Sequence, residues 1–238
     1  MRRCRTSPYS NSINVVYAKV GLSLGASVMQ DYMKRFGFYS VPPLDYPAHE
    51  MRPSGEFDSV SGKFLLPAQS PCTKPSNCVD IGRMSIGQDK LEVTPFQMAM
   101  VVSAIANDGK LMQPRLTSKV VNNAGQTVQT ITPQEDDQVM TPKVAGELQT
   151  MMRDVVEEGT GQNANLEGLD IGGKTGTAST GISRNGQPLD DAWFVGFPEG
   201  RPKIAVAVEL TNIENGYGGT YAAPIAAKVI QTLLAENQ

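Results

Sequence analysis

The stretch Gly168 to Thr180, "GLDIGGKTGTAST", decides how the chain is read. It sets a lysine between glycines and threonines, where backbone can come close to a ligand. Two unrelated chemistries use such a stretch. Gly168 to Thr175 matches the phosphate-loop spacing G-x-x-x-x-G-K-[ST], in which backbone N–H groups cradle phosphates and the lysine reaches the outer ones. Glu209, at the end of the apolar run "IAVAVE", would then be the metal-holding acid. That loop must follow a buried strand and open a helix. Upstream, "GTGQNANLE" is no buried strand. Downstream, Gly176, Gly181 and Gly186 each cost ~1 kcal/mol against a helix. The phosphate-loop match is therefore read as accidental.

The second reading makes Lys174-Thr175-Gly176-Thr177 an edge strand, whose unpaired N–H and C=O groups can receive an extended peptide. Gly176 lets another backbone approach. The Lys174 cation would draw a terminal carboxylate, which the hydroxyls of Thr175 and Thr177 can hydrogen-bond. The Thr177 N–H could face the oxyanion of an acyl-transfer intermediate. By itself the tripeptide Lys-Thr-Gly is also compatible with a plain turn. A second element raises it above that. Ser12-Ile13-Asn14 stands at the head of a predicted helix, and a serine-x-asparagine element accompanies Lys-Thr-Gly in penicillin-interacting serine enzymes. Ser12 would relay a proton toward a leaving amine, and Asn14 would hold a substrate amide. Taken alone, Ser12 reads as an N-cap.

Composition excludes other classes. A net charge of −3 over 238 residues gives no basic footprint for nucleic acid. The short basic run "MRRCR" reads as a solvated terminus. No apolar run approaches the ~20 residues of a membrane span, and "MRRCRTSPYSNSIN" has no apolar core of a signal peptide. His49 is the only histidine and no Cys-x-x-Cys occurs, so no metal site and no cofactor are expected. Cys72 and Cys78 share the loop "SPCTKPSNCVD", and their spacing fits a small disulfide ring and two free thiols equally.

Outward from the central stretch, residues 12–36 read as helical with a break at Gly25, and residues 38–80 as a long irregular connection. "VTPFQMAMVVSAIANDGK" starts a helix with Thr94 as N-cap and Pro95 in the first turn, and ends it at Gly109. A hairpin turns at Asn122 to Gly125. A second Thr-Pro helix follows, with Val144, Leu148 and Val155 on one stripe. "LDDAWFVGFPEG" and "RPKIAVAVEL" alternate at period two, with Trp193, Val195 and Phe197 on one face of the first and Ile204, Val206, Val208 and Leu210 on one face of the second. The short link predicts an antiparallel pair. A last helix, roughly residues 222–236, carries Ile225, Val229 and Leu233. Helices and an antiparallel sheet in this order predict an α+β domain.

Together "SINVVYAKVGLSLG", "MSIGQDKLEVTPFQMAMVVSAIANDGKLMQPRL", "VVEEGTGQNANLEGLDIGGKTGTA" and "DDAWFVGFPEGRPKIAVAVEL" resemble the transpeptidase domain of class B penicillin-binding proteins, of the kind found in actinobacterial division and elongation. The resemblance runs from residue 10 onward, with four motifs in family order. It implies the fold shared by penicillin-binding proteins and serine β-lactamases, with helices on an antiparallel sheet. It also implies a serine acyltransferase acting on D-alanyl-D-alanine stem peptides and acylated by β-lactams. Partners among cell-wall synthesis or division proteins are further implied. Ser12 and Asn14 fill the family's second motif, and Lys174, Thr175, Gly176 and Thr177 the third. Relatives work outside the membrane, which favours a Cys72–Cys78 disulfide.

One departure is large. The family's S-x-x-K motif supplies the nucleophile and its base, and no lysine here has a serine three residues before it. Only eleven residues precede Ser12. The chain is thus expected to be the C-terminal portion of a transpeptidase domain over residues 1–238, inactive alone, with the membrane anchor on the absent part. The alternatives are a D-Ala-D-Ala carboxypeptidase or β-lactamase of the same superfamily, or a non-catalytic binding remnant.

Overall fold

The structure, a computed structural model, describes residues 8–58, 60–68, 78–200 and 204–236. Helix α1, Asn14–Arg35, is interrupted at Gly25, whose φ of 80° and ψ of 165° only glycine adopts cheaply. This is the expected break. The head of the helix differs from expectation. Ile13 is the N-cap residue and no side chain caps the helix. Ser12 has a φ of 51°. It closes a turn, its N–H donating to the Tyr9 carbonyl at 3.1 Å, which leaves its hydroxyl for another partner.

The segment between α1 and the next long helix is mostly irregular yet anchored. Strand β1, Gly55–Glu56, pairs antiparallel with β2, Leu91–Glu92. The short helix α2, Ile81–Met84, is capped by Asp80, whose side chain accepts from the Arg83 N–H. Leu65, Val79 and Met84 bury a small core against Met29 and Met33 of α1.

Helix α3, Pro95–Ala106, starts as its sequence predicts. The Thr94 hydroxyl accepts from the Gln97 N–H at 3.1 Å, and Pro95 stands in the first turn. Its end is closed by the Gly109 N–H on the Ala104 carbonyl at 2.8 Å, with Asp108 also left-handed. Strand β3, Lys110–Met112, pairs with β6, Glu135–Gln138. Between them lies the exposed hairpin of β4, Lys119–Val121, and β5, Thr127–Thr130, turning at Asn122 to Gly125. Helix α4, Pro142–Glu157, is capped by Thr141. Its buried face is Ala145, Met152, Val155 and Val156. Val144, assigned to that stripe from the sequence, is 43% exposed. At 3.6 residues per turn the inward row runs through Ala145, Leu148, Met152 and Val155, one residue out of step with Val144.

The main sheet is antiparallel in the order β7-β8-β9: Ile171–Arg184, Gln187–Pro198 and Val206–Glu214. Asn185-Gly186, with φ of 53° and 80°, makes the tight hairpin turn between the first two. The predicted row of Trp193, Val195 and Phe197 does share one face, with Phe197 packed on Val102 and Ile105 of α3. The opposite row is no less buried, since Ala192 and Phe194 are fully covered. Helix α5, Gly218–Glu236, covers them. It begins earlier than predicted and buries Ala222, Ala223, Ala226, Ala227 and Ile230. Ile225 and Val229, expected on the inner stripe, are exposed. Small alanines let the helix axis approach the sheet, so Ile225 and Val229 turn outward while Ile230 stays in the core. The architecture is α+β, a three-stranded antiparallel sheet between α3 and α5, with α4 also packed on β7. No helix of the described residues is long and apolar enough to cross a membrane.

Candidate active site

Gly168 does not open a helix. It precedes a fourteen-residue strand, which removes the phosphate-loop reading. Strand β7 is the edge of the sheet, so Lys174 to Thr177 present one side of their backbone away from β8. A cleft of about 830 Å³ runs along that edge. It is lined by Ser12 and Asn14 from the head of α1, by Lys174, Thr175, Gly176 and Thr177 from β7, and by Tyr217 to Thr220 from the start of α5. The two motifs quoted from opposite ends of the sequence therefore face one another across one cavity.

Their meeting point is a hydrogen bond. Lys174 Nζ donates to Ser12 Oγ at 2.7 Å and to the Thr175 carbonyl at 2.8 Å. The positive φ of Ser12 is what turns its hydroxyl from a helix cap to this lysine. Burial lowers the Lys174 pKa from 10.5 to about 8, because a desolvated ammonium is disfavoured. The lysine can thus hold or release a proton near neutrality. Thr175 is buried, and its hydroxyl lies 2.6 Å from that of Thr160. Thr177 is exposed to the cleft. Its hydroxyl accepts from the Gly218 N–H at 3.4 Å, and its carbonyl accepts from the Gln88 side-chain amide at 3.3 Å. Asn14 is exposed in the same cleft.

Gly218 explains how α5 reaches so far in. A Cβ there would overlap the carbonyl oxygens of Trp193 and Gly176. The first turn of the helix thus lies against the strand carrying Lys174.

Other sequence candidates fall elsewhere. Glu209 sits opposite Trp193 on β9 and lines a second cavity of about 790 Å³ with Asp191, Met33 and Met98. Burial, and then the nearby Asp191 carboxylate, raise its pKa. Lys174 to Thr177 separate the two cavities and line both. Cys78 is disulfide-bonded, while Cys72 and Cys4 lie outside the described residues. No group of three or more potential metal ligands occurs among the described residues.

Sequence reasoning missed Thr160, Gln88 and the Tyr217–Thr220 wall. For Thr160 a signal existed, since it stands between Gly159 and Gly161, the setting of close backbone approach that singled out Gly176. The head of α5 carries the same signal, with Gly216, Gly218 and Gly219 around Tyr217, while Gln88 has a glycine on one side only.

Comparison with known proteins identifies the family. The family model described as "Penicillin binding protein transpeptidase domain" matches residues 6–231. A peptidoglycan D,D-transpeptidase PbpA of Mycolicibacterium smegmatis is 31% identical over 236 residues, covering 96% of this chain and 43% of that protein. The crystal structure of PBPA from Mycobacterium tuberculosis superposes with a TM-score of 0.75 at 25% identity, covering 95% of this chain and 48% of that one. The penicillin G acyl-enzyme complex of penicillin-binding protein A from M. tuberculosis gives 0.74 at 26% identity, over 95% and 47%. The chain thus spans under half the length of these relatives. With the family model spanning residues 6–231 and these relatives covering nearly the whole chain, the chain belongs to the penicillin-binding transpeptidase family, among the class B proteins of actinobacterial type.

Proposed function

We propose that this chain is the C-terminal portion of a peptidoglycan D,D-transpeptidase domain and supplies its substrate-holding and proton-relaying groups. The observation that carries the reading is the 2.7 Å contact of Lys174 Nζ with Ser12 Oγ beside an open strand edge. A stem peptide ending in D-alanyl-D-alanine lies extended along β7, adding main-chain hydrogen bonds to its free edge. Its carboxylate is drawn by Lys174 and held by the hydroxyls of Thr175 and Thr177. Gly176 keeps the approach open, and Asn14 holds a substrate amide.

The nucleophilic serine belongs to an S-x-x-K segment that this chain does not carry. Attack by that serine on the penultimate carbonyl forms an ester as the C–N bond breaks. The Thr177 N–H faces the oxyanion, and Ser12, resupplied by Lys174, passes a proton to the departing D-alanine nitrogen. An amine from a neighbouring stem peptide then attacks the ester, regenerating the serine and completing the cross-link. β-Lactams enter by the same route and remain as the acyl-enzyme. On this reading the parent protein is extracytoplasmic, held at the membrane by a segment outside this chain, and works beside other cell-wall synthesis or division proteins. The Cys72–Cys78 pairing belongs to the same reading, in keeping with the disulfide at Cys78.

The test is covalent labelling by a fluorescent penicillin, on this chain and on one extended upstream through an S-x-x-K segment. The extended chain is expected to be labelled and this one not. Lys174→Ala in the extended chain is expected to slow acylation by roughly 2–4 kcal/mol, comparable to removing a preorganised charge-assisted donor. Unchanged kinetics would remove Lys174 from the site. Equal labelling of the shorter chain would place a nucleophile within it and overturn the assignment. No labelling of either leaves a non-catalytic binding module.

A further inference from the structure

Thr160 belongs to neither sequence motif, yet each of its polar groups meets a different wall of the cleft. Its hydroxyl lies 2.6 Å from the Thr175 hydroxyl, next to Lys174 in the chain. Its N–H donates to the carbonyl of Ser10 at 3.1 Å, two residues before Ser12. Its carbonyl meets the first turn of α5 so closely that a Cβ on Gly219 would overlap it. Gly159, beside it, lies so tightly on the same Ser10 carbonyl that no Cβ fits there. Ser10 itself is buried, so this end of the Ser12 segment is fixed. Lys174 Nζ spans the gap these contacts define, from Ser12 Oγ to the Thr175 carbonyl.

We propose that Thr160 is a positioning residue that sets the spacing between the Ser12 and Lys174 elements and orients the Thr175 hydroxyl toward an anion in the cleft. The hydroxyl pair has one proton to spare. When Thr160 donates to Thr175, the Thr175 proton is free to point at a carboxylate, and a chain of donors polarises in that direction. Without the Thr160 hydroxyl, Thr175 loses the hydroxyl partner that fixes it, and its proton is no longer directed. The spacing role follows from geometry alone, while the carboxylate rests on the proposed function.

The test uses this chain with Thr160→Val, which keeps the shape and loses the hydroxyl, and Thr160→Ser, which keeps the hydroxyl. The first readout is the titration of the Lys174 side chain by NMR. Asp191 and Glu209 face Lys174 from the other cavity, and Tyr9 and Tyr17 line its own; both variants leave all four in place. Thr160→Val is expected to move the Lys174 midpoint by about one unit, with Thr160→Ser close to wild type. Thr175→Val removes the same hydroxyl pair from the other side and serves if Thr160→Val does not fold. The second readout is the dissociation constant of N-acetyl-D-alanyl-D-alanine and of its C-terminal amide. The free acid is expected to weaken ~10-fold in Thr160→Val, and the amide to stay unchanged. An unmoved Lys174 midpoint in folded Thr160→Val and Thr175→Val overturns the positioning role. A moved midpoint with no binding of either peptide to wild type upholds the positioning and overturns the substrate instead.

Discussion

A lysine kept among backbone and hydroxyl groups is cheap to hold neutral and costly to hold charged, and Lys174 should reveal this in the stability of the whole chain. In the unfolded state it keeps its proton up to about 10.5, and in the folded state it releases it near 8. Between those values the unfolded state binds more protons, so this residue makes stability rise with pH from about 8 upward. Lys174→Met, which keeps the stem and removes the charge, is expected to be more stable than wild type at pH 7 and to lack that rise. Denaturant melts from pH 7 to 9.5 compare the two; parallel curves would mean that the ammonium is not desolvated. At this scale the residues singled out in the sequence line one cleft, and they were legible for unequal reasons. Lys174 to Thr177 were legible because cation, hydroxyls and glycine stand side by side. Ser12 was legible only as a partner of that group, and its positive φ was not, because the turn back to Tyr9 depends on packing. Thr160 escaped because its partners lie 150 residues behind it and 15 ahead.

Helix ends and helix starts offer a sharper comparison at the level of elements. Gly218 opens α5 where a side chain would drive into backbone oxygens of both β7 and β8, atoms that cannot swing aside. Gly218→Ala is expected to cost about 1–3 kcal/mol or more, the range of overpacking. A Cβ added at Gly146, within α4, would meet nothing within 4 Å, and the backbone there is ordinary helix. Gly146→Ala should therefore stabilise by ~1 kcal/mol through helix propensity. Urea midpoints of the two variants moving the same way would undo this account. Element boundaries were legible wherever a local signal made them so, as at Thr94, Thr141, Gly25 and the turn from Asn122 to Gly125. Buried faces were less so. Large aliphatics marked the inner side of α5 wrongly because alanines do the close packing there. Period-two alternation suggested one covered face for β8, whereas α5 and α3 cover both, an arrangement set by distant segments.

Over the whole molecule, apolar surface is unevenly covered. The sheet is packed on both sides around Phe194 and Phe197, whereas α1 exposes Val15, Leu22 and Leu24 by half or more of their area. The cavity beside it is lined by Met29, Met33, Met84, Met98 and Val101. Apolar side chains left open along one helix are a ready surface for hydrophobic molecules. The isolated chain is accordingly expected to bind a hydrophobic dye and to melt broadly, with the sheet and α5 outlasting α1. A sharp two-state transition without dye binding would show that the chain is self-sufficient as it stands. The Ser12–Lys174 hydrogen bond also has a bearing on time. It joins residues 162 apart. Bringing such distant points together costs ~2.5 kcal/mol more chain entropy than closing a ten-residue hairpin. Contacts of that span form late, after local turns and the β7–β8 hairpin have shortened the effective path. During refolding, the strand edge would therefore exist before the cleft does, and the change in Lys174 acidity would be among the last signals to reach its native value.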